Sequence, residues 1–195
     1  MAADGWRLIL VDLNKAGADV AAEKVGDAVI ETIACDIRDF DAVQSLVADA
    51  TARHGTLGGL VTAAGAGKSV GPRLPFWETE LEDWTVTVTT HLNGVMNFCH
   101  AVLPHMRGQG GGVIVNVASG AGLPGGPPIT RQKYADVYAA SKAGVISFTK
   151  AIALEHGADK IRANCIAPGR SGSLSRTSEE LEKGAAAEDA ELPGS

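Results

Sequence analysis

The segment YAASK, Tyr138 to Lys142, holds a phenol and an ammonium four residues apart. On a helix that spacing puts both side chains on one face, so the ammonium can approach the phenol. A positive charge nearby favours the phenolate and lowers a tyrosine pKa from its usual value of about 10. Such a tyrosine can take a proton from a substrate oxygen, or return one, while hydride moves elsewhere. The same spacing also suits a tyrosine packed on a helix beside a solvated lysine. The flanking segments have to decide between the two.

Those segments alternate in character. Apolar runs at residues 8–12, 29–35, 58–63, 113–118 and 161–167 read as strands. Between them, residues 15–25 are rich in alanine, and Phe40, Val43, Leu46, Val47 and Ala50 recur at helical spacing. Residues 84–106 and 137–156 read as two long helices, the first weakened by its threonines and Gly94. Continuous apolar strands alternating with helices predict a parallel sheet covered on both faces. After Gly169 the chain turns to serine, alanine and acids, a polar tail over 170–195 that could not anchor a core.

Composition narrows the function. The chain has 195 residues, 45% of them hydrophobic, and a net charge of -6. A nucleic-acid binder would want a basic face instead. No apolar stretch is long enough to span a bilayer, and the first residues show no signal-peptide pattern. Cys35, Cys99 and Cys165 match neither a metal-ligand spacing nor a disulfide framework, and read as buried free thiols in a reducing, cytoplasmic setting. No metal site is expected.

In their order and context, six segments resemble the short-chain dehydrogenase/reductase family. They are VDLN with Asp12, CDIRD (35–39), LVTAAG (60–65), VIVNVAS ending in Ser119, YAASK, and IRANCIA followed by Pro168 and Gly169. The resemblance runs from about residue 6 to residue 169 and implies a doubly wound α/β, Rossmann-like sheet. It implies Tyr138 as general acid/base, with Lys142 depressing its pKa and holding the nicotinamide ribose. Ser119 would hydrogen-bond the substrate oxygen. Asp12 would bind the adenosine ribose and favour NAD over NADP, because a carboxylate repels a 2′-phosphate. Asp36 and Ile37 would line the adenine, Ala64 and Gly65 would let the cofactor come close, and Pro168 and Gly169 would border the nicotinamide. Taken singly, Asp12 or Asp36 could be a helix cap, Ser119 a turn residue and Pro168–Gly169 plain punctuation.

Three departures from the family pattern stand out. The segment HLNG puts His91 where the family has a catalytic asparagine, and histidine can donate and accept in a relay. Extra residues in the loop 123–136 separate Ser119 from Tyr138, and Tyr134 within it has no lysine partner. The family's glycine-rich phosphate turn is absent. GAGKSVG (65–71) follows the wrong strand to replace it. A P-loop reading of GKS fails as well, because its leading glycine falls at Thr62 and Pro72 and Pro75 interrupt the helix it requires. The glycines at 108–112 and 120–126 read as turns, and Ser173 stands where a threonine beside the carboxamide would be.

The resemblance therefore implies a family member without its first and last strands. MAADG reads as the end of a first helix stopped by Gly5. The strand ending in Asp12 and the strand at 58–63 should lose the neighbour they would share. Residues 1–169 form the expected dinucleotide-binding and catalytic domain. The expected activity is NAD-dependent interconversion of a small secondary alcohol and a ketone, in a homo-oligomer paired through residues 84–106 and 137–156. The alternative is a catalytically silent fragment or assembly subunit of the same fold.

Overall fold

A computed structural model of the chain describes residues 1–65, 75–125 and 135–169. The expectations for the 170–195 tail with Ser173, for Tyr134 and for most of GAGKSVG lie outside those residues.

Five strands form where the apolar runs predict them: β1 (Leu8–Asp12), β2 (Val29–Ala34), β3 (Gly59–Thr62), β4 (Gly112–Val117) and β5 (Ile161–Ile166). All pairings are parallel. Among the described residues they make two sheets, β1 with β2 and β3–β4–β5. In register, Asp12 stands opposite Ala34, Thr62 opposite Asn116, and Asn116 opposite Cys165. β1 and β3 do not pair, as expected for strands that lack a shared neighbour. The Trp6 indole bridges their N-terminal ends, within 3.0 Å of where a Cβ on Gly58 would stand.

The helices are α1 (Lys15–Val25), α2 (Phe40–His54), α3 (Leu81–Val88), α4 (Gly94–Gly108) and α5 (Ala135–Glu155). Asn14 caps α1 by accepting from Gly17 N at 3.1 Å, and Asp39 caps α2 by accepting from Ala42 N at 3.0 Å. A short 3₁₀ turn, Ala2–Asp4, ends at a left-handed Gly5, which matches the reading of MAADG as a helix stop. The core lies where α2, α4 and α5 meet the three-stranded sheet. Val43, Cys99, Met106, Ile114 and Val145 are completely buried there.

Three expectations need correction. The predicted helix 84–106 begins at Leu81 and is divided by a π-helical turn, Thr89–Asn93, into α3 and α4. The threonines before Gly94 and the extra residue of the wider turn interrupt a regular helix. Phe40, predicted on the buried stripe of α2, is the first residue of the helix and is exposed. Cys165 is only partly buried, unlike Cys35 and Cys99; among the described residues β5 pairs with β4 alone.

Candidate active site

Of the residues singled out in the sequence, Asp12 closes β1, and Asp36, Ile37, Ala64, Gly65, Ser119, Pro168 and Gly169 follow the C-terminal ends of the other strands, while His91 lies in the π turn and Tyr138 and Lys142 on α5. Two clusters result, joined by α4. In the first, the Cys35 amide donates to the Asp12 carbonyl at 3.1 Å and so holds the ends of β1 and β2 together. Oδ1 of Asp12 accepts from Asn14 N at 2.8 Å, and the carboxylate stays exposed. Asp36 accepts from its own neighbour's backbone, Arg38 N at 3.0 Å, and from the Arg38 guanidinium, Nη2 at 2.6 Å. Those hydrogen bonds from Arg38 hold the Asp36 carboxyl below the usual carboxylate range. Ile37 packs against Gly94 of α4.

The second cluster gathers the chemistry. The π turn turns the His91 ring inward, buried, where it meets the Tyr138 ring edge-on with centroids 4.9 Å apart. Gly65, after β3, lies close against the His91 ring. A Cβ there would fall 2.9 Å from His91 Cε1. Lys142 is buried on α5, with Nζ 5.8 Å from the centre of the Tyr138 ring, close enough for a cation–π attraction. Its Nζ also donates to the Val117 carbonyl at 2.8 Å, which ties α5 to the end of β4. Burial pulls the Lys142 pKa down by disfavouring its cation.

Ser119 caps a 3₁₀ turn over Gly120–Gly122, accepting from Ala121 N at 3.3 Å. That turn presses on α5 so closely that a Cβ on Gly122 would stand 2.6 Å from Ala143 N. Only glycine permits this approach, which sets the Ser119 turn beside Lys142. Gly120 N donates to the Pro168 carbonyl at 2.8 Å and brings the end of β5 into the same group. Of the predicted residues, Ala64 and Gly169 lie exposed on their loops, and a Cβ on Gly169 would meet nothing within 4 Å.

Three contributors went unnoticed in the sequence. Gly122 and Gly94 serve close packing, and Asn97 of α4 donates to the Ile37 carbonyl at 2.9 Å. A glycine three residues after His91 and another three after Ser119 were the only available signals. The side chains fit the two ends of a nicotinamide dinucleotide. Asp12 Oδ2 makes no hydrogen bond among the described residues and can accept from a ribose hydroxyl, and the Lys142 ammonium has three donors with one spent on Val117.

Parallel strands flanked by helices, with the candidate side chains at the strand C-termini, define a Rossmann-like α/β class. Within that class, a family model described as short chain dehydrogenase matches residues 1–183, and the chain belongs to the short-chain dehydrogenase/reductase family. It is 34% identical over 169 residues to a D-threitol dehydrogenase of Mycolicibacterium smegmatis, covering 86% of this chain and 61% of that one. It is 35% identical over 158 residues to a 3-oxoacyl-[acyl-carrier-protein] reductase of Chlamydia muridarum, covering 81% and 59%. A gluconate 5-dehydrogenase from Burkholderia cenocepacia, solved with NADP and tartrate, superposes with a TM-score of 0.74 at 28% identity, covering 87% of this chain and 64% of that one. The chain thus spans about three fifths of the length of these relatives. Among the described residues no helix is long and apolar enough to cross a membrane.

Proposed function

We propose that the protein is an NAD-dependent oxidoreductase that interconverts a small secondary alcohol and a ketone, with Tyr138 as general acid/base. The observation that carries this reading is that the Tyr138 ring meets the buried His91 ring and lies 5.8 Å from the buried Lys142 ammonium, on the helix that the Ser119-capped turn presses against. The nicotinamide, when bound, supplies the acceptor or donor of hydride. The chain's own residues handle the proton. Ser119 Oγ holds the substrate oxygen, the Tyr138 phenol exchanges its proton with it, and the Lys142 ammonium holds the nicotinamide ribose. His91 orients the phenol through its ring edge. Gly65 and Ala64 leave room along the end of β3, and Pro168 and Gly169 border the nicotinamide.

At the other end, Asp12 receives the adenosine ribose, and Asp36 and Ile37 line the adenine. The exposed Asp12 carboxylate supports NAD over NADP by charge repulsion. The free thiols of Cys35, Cys99 and Cys165 support a reducing compartment. Met96 on α4 and Leu154 on α5 are 41% and 86% exposed, which supports self-association through these helices. Those same exposed faces support a second reading, an assembly subunit without catalysis.

Tyr138→Phe separates the two readings. Turnover of a panel of secondary alcohols with NAD should fall at least about a hundredfold. NADH binding by calorimetry should hold, and both proteins should bind NADH more tightly than NADPH. Undiminished turnover in the variant would overturn the catalytic role. A folded wild-type chain that neither binds NADH nor turns over would leave the assembly reading.

A further inference from the structure

Helix α4 carries contacts at two levels. At its start, the π turn sets His91 against Tyr138. One to two turns later it meets the loop after β2. Asn97 Nδ2 donates to the Ile37 carbonyl at 2.9 Å and reaches the Arg38 carbonyl at 3.5 Å. Between these levels a Cβ on Gly94 would stand 2.5 Å from Ile37 Cδ1, so the Ile37 side chain seats directly on the helix backbone. On its solvent side the same loop is closed by Arg38, whose backbone N–H and guanidinium both turn onto Asp36. Residues 36–38 are thus fixed from below by α4 and from above by their own ion pair.

We propose that Asn97 is a positioning residue for the adenosine half of the cofactor site. Its amide pins the Ile37–Arg38 backbone to α4, so that Asp36 and Ile37 are set before the adenine arrives. The inference rests on the reading of Asp36 and Ile37 as adenine-lining residues. Among the described residues the hydrogen bonds of the Asn97 side chain go to the Ile37 and Arg38 carbonyls, on the adenosine side of the site. Its effect is to spare the loop the ordering that binding would otherwise impose. A primary amide is suited to this, because it has two N–H donors for neighbouring carbonyls. The arrangement also makes the π turn and α4 together common to both ends of the site, with His91 at one and Asn97 at the other.

Asn97→Asp tests the idea with nearly the same shape. The carboxylate cannot donate, and it faces two carbonyl oxygens. Asn97→Ser, which removes the donor without adding charge, serves as a second variant should the first fail to fold. Two readouts are taken on the full chain: affinity for ADP-ribose by calorimetry, and backbone hydrogen exchange without ligand. The expected result is faster exchange confined to residues 36–39, with ADP-ribose binding weakened about fivefold to tenfold. Unchanged affinity in a variant whose loop is released would overturn the proposal. So would exchange raised throughout α4 and the core, which marks a merely structural asparagine. A wild-type chain that binds no ADP-ribose would overturn the cofactor reading itself, and this inference with it.

Discussion

The three thiols occupy different surroundings, and chemistry can tell them apart. Cys99 is completely buried and borders Asn116, and burial pushes its pKa up to about 11. Cys35 is raised too, first by burial and then by the charges of Asp36 and Asp39. Cys165 is partly buried on β5 and opens onto a groove of about 240 Å³ against Ile146 and Lys150 of α5. A thiolate is the reactive form, so a raised pKa and burial act together against alkylation. A maleimide reagent at about pH 8 should therefore label Cys165 first, with Cys35 and Cys99 reacting only through opening of the fold. Moving to about pH 9 leaves Cys99 protonated, because its pKa lies well above that point, so its labelling should stay slow. Mass spectrometry of the time course checks both statements. Equal rates at all three positions would mean that the core opens far more readily than its packing implies.

At the scale of elements, β3, β4 and α5 are joined by a buried polar chain beneath the candidate site. Thr62 Oγ1 donates to Asn116 Oδ1 at 2.8 Å, Asn116 Nδ2 donates to Thr149 Oγ1 at 2.9 Å, and Thr149 Oγ1 donates to the Val145 carbonyl at 2.7 Å. Asn116 sits on the central strand, one residue before Val117, whose carbonyl accepts from Lys142 Nζ, so this chain fixes the end of β4 to which Lys142 is tied. Asn116→Ala should cost about 3 kcal/mol, because it leaves the Thr62 and Thr149 hydroxyls short of a buried partner and opens a cavity. Urea denaturation measures that loss, and a cost under about 1 kcal/mol would show that the hydroxyls find other partners. The strands of this region were legible in the sequence because buried parallel strands are written as unbroken apolar runs. Tyr138, Lys142 and Ser119 were legible because motif order carried them. The π turn was legible only as a weak stretch at the threonines and Gly94, since residue types do not specify its wider hydrogen-bond register, and Gly94 is a packing surface. Asn97 was invisible for a different reason. Its partner is a backbone carbonyl 60 residues earlier, and a carbonyl has no sequence signature.

For the whole molecule, the division into two sheets sets the order of opening. β4 carries Ile114 and Asn116 at 0% exposure, and β5 begins with Ile161 at 1%, whereas no residue of β1 or β2 is fully buried. A two-stranded pair has little stability of its own. β2 makes polar contacts to α1 and α2: Thr32 with Asp19 and Lys15, and Glu31 with Arg53 and His54. Pairs this near the surface contribute little each. Native-state hydrogen exchange should therefore find β1 and β2 opening together, at a free energy lower than that of β4 by about 2 kcal/mol or more. Acid should widen the difference. Hydrogen bonds from Arg53, and then from His54, hold the Glu31 pKa below its ordinary value. A lowered carboxylate pKa contributes its stability in full above the unfolded-state value and loses it as pH falls through the folded one. The tie between β2 and α2 is thus complete at neutral pH and weakens below the ordinary glutamate range, while β4 has no such charge to lose. Exchange rates corrected for intrinsic chemistry, compared at about pH 7 and about pH 4, measure this directly. Equal opening free energies for β2 and β4 at both values would show that the two sheets unfold as one unit, with α2 and α4 rather than strand pairing holding them together.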